Sequence, residues 1–210
     1  MKLHTLALTA LALLMGVPVA AAQGLQAGDA FASAPASVFP LLDRNARLDM
    51  LDYYNNNMTT PTANNLDGRS VITSMTPSDV TVRLTDSSTA QLVLLDAGSD
   101  TIMALISTVA TPGLDSSISF YDSAWRPLDT AAYFTKPGWK DWLNPGGDLA
   151  TVTAMTPFML ASYVYDPATS SLTLTNNLGK FMDPDLYETI SPSLRPTLTY
   201  TWTGKKFAKK

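Results

Sequence analysis

The 210-residue chain has no cysteine, one histidine and one glutamate. No disulfide can staple the fold, no thiol can serve as nucleophile or metal ligand, and no lipid can be attached through an N-terminal cysteine. The histidine, His4, sits in an N-terminal segment expected to be removed. Without it there is no Ser-His-Asp triad and no histidine- or cysteine-ligated zinc. Acid–base chemistry would fall to aspartates, which stay ionised unless burial or a like charge raises their pKa. An aspartate pair acting as a hydrolase, or a Ser-Lys dyad, stays open, but neither has a supporting motif. No glycine-rich phosphate loop is present. The sequence therefore points to no catalytic residue, no cofactor and no metal. Long apolar runs are also scarce. Beyond the N-terminus no segment is long and apolar enough to span a bilayer, so neither a membrane span nor a lipid anchor is expected.

The N-terminus is the exception. Lys2 precedes an apolar run from Leu6 to Val19, and Ala20-Ala21-Ala22 supplies the small residues a signal peptidase needs. Residues 1–22 read as a signal peptide cut after Ala22, which implies a periplasmic or secreted protein. The cut leaves 188 of the 210 residues, with thirteen Lys and Arg against eighteen Asp and Glu, a net −5. That balance argues against a nucleic-acid partner, which would need a basic face. With 46% apolar residues the remainder should fold around its own core. Residues 23–39 read as a linker. Lys205, Lys206, Lys209 and Lys210 read as a solvated basic tail over 205–210.

An internal match runs through the rest. At an offset of 80, Met75-Thr76-Pro77 falls on Met155-Thr156-Pro157, and Asp86, Thr89, Leu92 and Leu94 fall on Asp166, Thr169, Leu172 and Leu174. Upstream, Leu48-Asp49 matches Leu128-Asp129, and Tyr53-Tyr54 matches Tyr133-Phe134. Downstream, Leu114 matches Leu194 and Phe120 matches Tyr200. The match fails between 96–110 and 176–190. The sequence thus predicts two tandem repeats, units 40–120 and 121–204. The fold class is α+β, each unit a short helix followed by an antiparallel β-meander.

The elements follow from periodicity. Pro40 to Asn55 predicts a helix with Leu41, Leu48 and Leu51 along one side and Arg44, Arg47 and Asp52 toward solvent. Ser123 to Phe134 is its counterpart, kept short by Pro127 and Pro137. Thr81 to Thr85 alternates as a half-buried strand, Asp86-Ser87-Ser88 turns, and Leu92 to Leu95 returns. Phe158 to Tyr165 and Leu172 to Thr175 form the matching hairpin. Ile102 to Thr111 reads as a strand, and Met182 to Ile190 as a short helix or irregular edge. Ser116 to Tyr121 and Thr197 to Trp202 close the units. The matched Asp86 and Asp166 read as turn residues. The clusters Asn64-Asn65-Leu66-Asp67-Gly68 and Asp183-Pro184-Asp185 lack the ligand spacing of a calcium loop and read as turns or caps.

The candidate site is aromatic. Trp125, Trp139 and Trp142, with Tyr133 and Phe134, crowd the start of the second unit, while the first has no tryptophan. Aromatics anchor protein partners and stack on sugar rings, and they also fill cores. Trp125, Tyr133, Trp139 and Trp142 are the residues to which a protein or glycan partner is assigned here. The segment from Asp115 to Trp125, dense in Ser, Asp and aromatics, reads either as a groove lining or as a core strand.

The run Pro40-Leu41-Leu42-Asp43-Arg44-Asn45-Ala46-Arg47-Leu48-Asp49-Met50-Leu51-Asp52-Tyr53-Tyr54 resembles the opening of a family of uncharacterised secreted proteins from Bacteroidales. Ile106-Ser107-Thr108-Val109, the Asp115 to Trp125 segment, and Leu194 to Phe207 with Trp202 resemble it too. The resemblance implies a Gram-negative exported setting and carries no catalytic residue. The tandem plan is also similar in architecture to secreted β-lactamase inhibitor proteins, although those are disulfide-bonded. The expected function is a non-enzymatic binding protein for a protein or glycan. The alternatives are an envelope assembly or structural protein that pairs through its sheet edges, and the aspartate-pair hydrolase.

Overall fold

A computed structural model describes residues 24–210, and the segment 1–22 expected to be a signal peptide lies outside the described residues. The chain opens with α1 (Ala27–Ser33) and α2 (Arg44–Asn55). A seven-stranded antiparallel meander follows: β1 (Thr62–Ala63), β2 (Arg69–Met75), β3 (Asp79–Thr85), β4 (Ser88–Asp96), β5 (Thr101–Thr111), β6 (Gly113–Tyr121) and β7 (Pro127–Leu128). Three short helices come next, α3 (Thr130–Tyr133), α4 (Trp139–Trp142) and α5 (Leu149–Met155). β8 (Ala161–Asp166) and β9 (Ser171–Asn176), helix α6 (Pro184–Ile190), and β10 (Thr197–Trp202) and β11 (Phe207–Lys209) complete the chain. The second sheet has the order β11-β10-β9-β8. Among the described residues no helix is long and apolar enough to cross a membrane.

The layers can be read from β5. Ile102-Met103-Ala104-Leu105-Ile106 is apolar at every position, which a strand tolerates when both faces are covered. Met103 and Leu105 join Val80, Val82 and Leu92 against α1 and α2. Ile102, Ala104 and Ile106 join Val93, Leu95, Ile118 and Phe120 against the second sheet. The protein is therefore a helical layer, a central sheet and a second sheet, with one hydrophobic cluster in each of the two gaps.

The helical layer corrects two expectations. Residues 23–39 are not a linker, because Ala27, Ala30, Phe31 and Phe39 are core residues of the first cluster. The buried side of α2 is not the leucine row. Leu41 precedes the helix, Leu48 is exposed, and the inward positions are Arg47, Met50, Leu51 and Tyr54, spaced i, i+3, i+4 and i+7. Arg47 is drawn inward by carbonyls. Its guanidinium donates to Leu42 O at 2.6 Å and to Ala34 O and Ala32 O. Burial pulls its pKa below the ordinary arginine value, and Asp43 opposes that shift.

The 80-residue offset meets mixed geometry. It relates β3 and β4 to β8 and β9, and β6 to β10. It also carries β2 onto α5 residue for residue, and most of β5 onto α6. Val71-Ile72-Thr73 favours an extended chain through β-branching, whereas Leu149 follows Asp148, whose carboxylate caps a helix by accepting from Ala150 N and Thr151 N. Without a counterpart of β5, β9 pairs directly with β10. The helix expected over 123–134 is instead a turn, the two-residue β7 and the four-residue α3. The turn residues also differ. Asp166 accepts from Ala168 N, but in the first hairpin Thr85 Oγ1 takes the Ser87 N–H.

The closing lysines are not a free tail. Phe207 is buried and pairs with Trp202, so residues 207–209 form the edge strand of the second sheet. The opposite edge, β8, crosses β6, β5 and β4 and is capped by their side chains. Asp115 Oδ1 accepts from Ala161 N, Ser116 Oγ from Tyr163 N, and Gln91 Oε1 from Tyr165 N, while Gln91 Nε2 donates to Tyr165 O at 2.8 Å. The segment from Asp115 to Trp125 is thus mostly core strand, its polar residues serving the neighbouring backbone. Among the described residues β8 is the capped edge; β1 and β7 have two residues each and cover only Arg69-Ser70 of β2 and Phe120-Tyr121 of β6, so the rest of β2 and β6 has no strand partner on its outer side.

Candidate functional site

The four aromatics assigned to a partner do not share a surface. Trp125 lies on the helical side of the central sheet, packed edge-on against Phe39, with Nε1 donating to Ala30 O at 3.2 Å. Its backbone has φ +62°, a left-handed conformation that side-chain-bearing residues resist. The Asp122 carboxylate braces this turn by accepting from Ala124 N and Arg126 N. Tyr133, Trp139 and Trp142 lie on the other side of the sheet. Trp142 is 1% exposed within the second cluster. Tyr133 is half-buried and stacks between Phe120 and Trp202. Trp139 is half-buried.

The carboxylates are equally committed. Asp43, Asp129, Asp148 and Asp183 cap α2, α3, α5 and α6. These four of the seventeen aspartates use a side chain short enough to reach the N2 and N3 amides, a role glutamate fits less well. Asp183-Pro184-Asp185 is the start of α6, with proline in its first turn. Asn64 orders its own turn by accepting from Leu66 N and Gly68 N. Among the described residues no three His, Cys, Asp or Glu side chains gather to hold a metal ion.

The titratable groups that depart upward are tyrosines. Burial, with the Asp115 charge nearby, pushes Tyr163 up to about 12, and burial with Asp141 does the same to Tyr200. A raised folded pKa means that stability is complete below the unfolded value near 10 and is lost as pH rises toward 12. Absorbance titration of the phenols should show a late component from this pair, and that component should coincide with loss of tertiary circular dichroism. A single phase near pH 10 in the folded protein would refute the burial of this pair.

Two surface features had no sequence signal. The first is an open groove of about 460 Å³ lined by Gln26, Asp29, Leu51, Tyr54, Met75 and Pro77. The second is a pair of phenylalanines that meet edge to face in the open. Phe158 and Phe181 have centroids 5.2 Å apart and are 42% and 44% exposed. Phe158 follows α5, and Phe181 lies between β9 and α6, so both belong to the region where the second sheet departs from the meander. Two large side chains left half in water forfeit apolar burial worth about 25 cal/mol per Å².

A domain of an uncharacterized protein from Porphyromonas gingivalis W83 has a similar fold, with a TM-score of 0.76 at 17% identity, covering 87% of this chain and 96% of that one. None of the curated proteins compared matches the chain. The family described as "Protein of unknown function (DUF3256)" matches residues 20–207, nearly all of the fold just described, and the chain belongs to that family.

Proposed function

We propose that this is a non-enzymatic binding protein acting after export. Its protein or glycan partner meets the Phe158–Phe181 pair rather than the tryptophan-rich stretch. The exposed aromatic pair carries this reading. Aromatic anchors contribute most at interfaces when they are rigid and centrally desolvated, and a T-shaped pair is partly preorganised. The commitment of the aspartates to caps and turns supports the non-enzymatic part. Export rests on the signal-like segment over 1–22. The side chains that cap β8 close that edge to partner capture by strand addition.

The test is recovery of cross-linked partner from envelope extracts. The full chain is compared with Phe158→Ser/Phe181→Ser and with Trp139→Ala. The phenylalanine variant should lose roughly tenfold or more of the recovery and melt within a few degrees of the wild type. Trp139→Ala should leave recovery close to the wild-type level. Undiminished recovery by the phenylalanine variant would remove this surface from consideration.

A further inference from the structure

The chain is acidic overall, yet its positive charge is gathered in one place. Phe134 packs on Phe207 and Tyr200, and Lys209 Nζ donates to Asp141 Oδ1 at 2.8 Å, so residues 134–142 run beside strand β11. The two segments bring together Lys136, Lys140, Lys205, Lys206, Lys209 and Lys210, all exposed, and the acidic residue they contain is Asp141. Asp96 also lies here, its carbonyl accepting from Trp202 Nε1 beside the 203–206 turn, so six lysines stand against two aspartates and this end is +4, leaving −8 over the rest of a chain that carries −4 in total. Trp139, half-buried and packed on the second cluster, lies within the same stretch.

We infer that this lysine end is a docking surface for an anionic phospholipid membrane, held peripherally by charge with Trp139 at the headgroup level. Three features select a lipid surface over a discrete anion. The cations are all lysines, point charges without the planar fork that grips a single phosphate or carboxylate. They are spread along an edge strand and its turn, rather than lining a pocket, which suits many mobile headgroups. The acidic remainder of the molecule is repelled by the same surface, which fixes the orientation of approach. Tryptophan, apolar with one polar N–H, is a side chain that favours a membrane interface, and Trp139 is only half-buried. This surface is distinct from the Phe158–Phe181 pair, and its test stands apart from that reading.

The experiment is flotation of the full chain with vesicles of phosphatidylcholine alone, or with roughly one-third phosphatidylglycerol, at roughly 50 mM and roughly 500 mM NaCl. The apolar run over residues 6–19 would add to both compositions alike, so the difference between them isolates the charge effect. The expected result is roughly tenfold greater binding to the anionic vesicles at low salt, abolished at high salt. Lys205→Glu/Lys206→Glu should lose that difference, and Lys136→Gln/Lys140→Gln should reduce it. Arg44→Glu/Arg69→Glu, with the same net charge change as the first variant but on the helical side, should retain it. Unchanged thermal midpoints show that the variants fold. Equal binding to both vesicle types, or equal loss in the two glutamate variants, would overturn the assignment. Retention on soluble dextran sulfate without vesicle binding would also overturn it, in favour of an anionic glycan.

Discussion

Trp142→Ala should cost about 3–5 kcal/mol of folding stability, the range for removing a fully buried large aromatic. For a chain of this size that lowers the melting midpoint by roughly 10 °C or more. The side chain is 1% exposed in the cluster that also holds Val152, Ile190 and Leu194, and its carbonyl accepts from Arg195 N at 2.7 Å. Its loss would leave a cavity where the short helices meet the second sheet. Trp139→Ala, at a half-buried site, should cost only about 1–2 kcal/mol. Equilibrium denaturation of the two variants distinguishes a core role from a contact role. A cost for Trp142→Ala below about 1 kcal/mol would return that residue to the surface and revive the tryptophan-rich stretch as a partner site.

Arg47→Met should cost about 2–4 kcal/mol, although methionine fills much of the same volume and suits a helix. The guanidinium serves carbonyls at the end of α1, where the helix dipole presents partial negative charge and no glycine closes the turn. It also holds Leu42 O across the following loop. Methionine would leave these buried acceptors without donors. The effect should be local first, with amides of α1 losing protection from hydrogen exchange ahead of those in β4 and β5. Arg47→Lys should restore part of the stability, because an ammonium lacks the fork that spans several carbonyls. Unaltered protection of α1 in Arg47→Met would show that the helix is held by packing alone.

The same arginine shows where sequence reading runs out. Periodicity located α2 and its asparagine end, and alternation placed β3, β6 and β10, the last with both ends in agreement at Thr197 and Trp202. These signals are local. The inward face of α2 was misassigned because a charged residue counts as solvent-facing unless its acceptors are known, and those acceptors lie in the loop before the helix and on α1. Helix α1 itself, AGDAFAS, is too short and too rich in small residues to show a period. Strand β11 was hidden because Phe207 is flanked by lysines. The aromatic stretch is divided by the fold. Trp125 and Trp142 are close in sequence but lie on opposite sides of the central sheet. Phe158 and Phe181, at a comparable separation along the chain, meet because β8 and β9 pair between them.

Every pairing in the central sheet joins neighbours along the chain, so the sheet can grow strand by strand from its N-terminal end, each new edge finding its mate at once. The second gap is different. Val93, Leu95, Ile102, Ala104, Ile106, Ile118 and Phe120 await partners from residues 134–207. Until those residues arrive, a well-paired sheet stands with one oily side bare. A chain cut short after β7 would therefore expose that apolar side and tend to aggregate rather than stand as a smaller version of the finished protein.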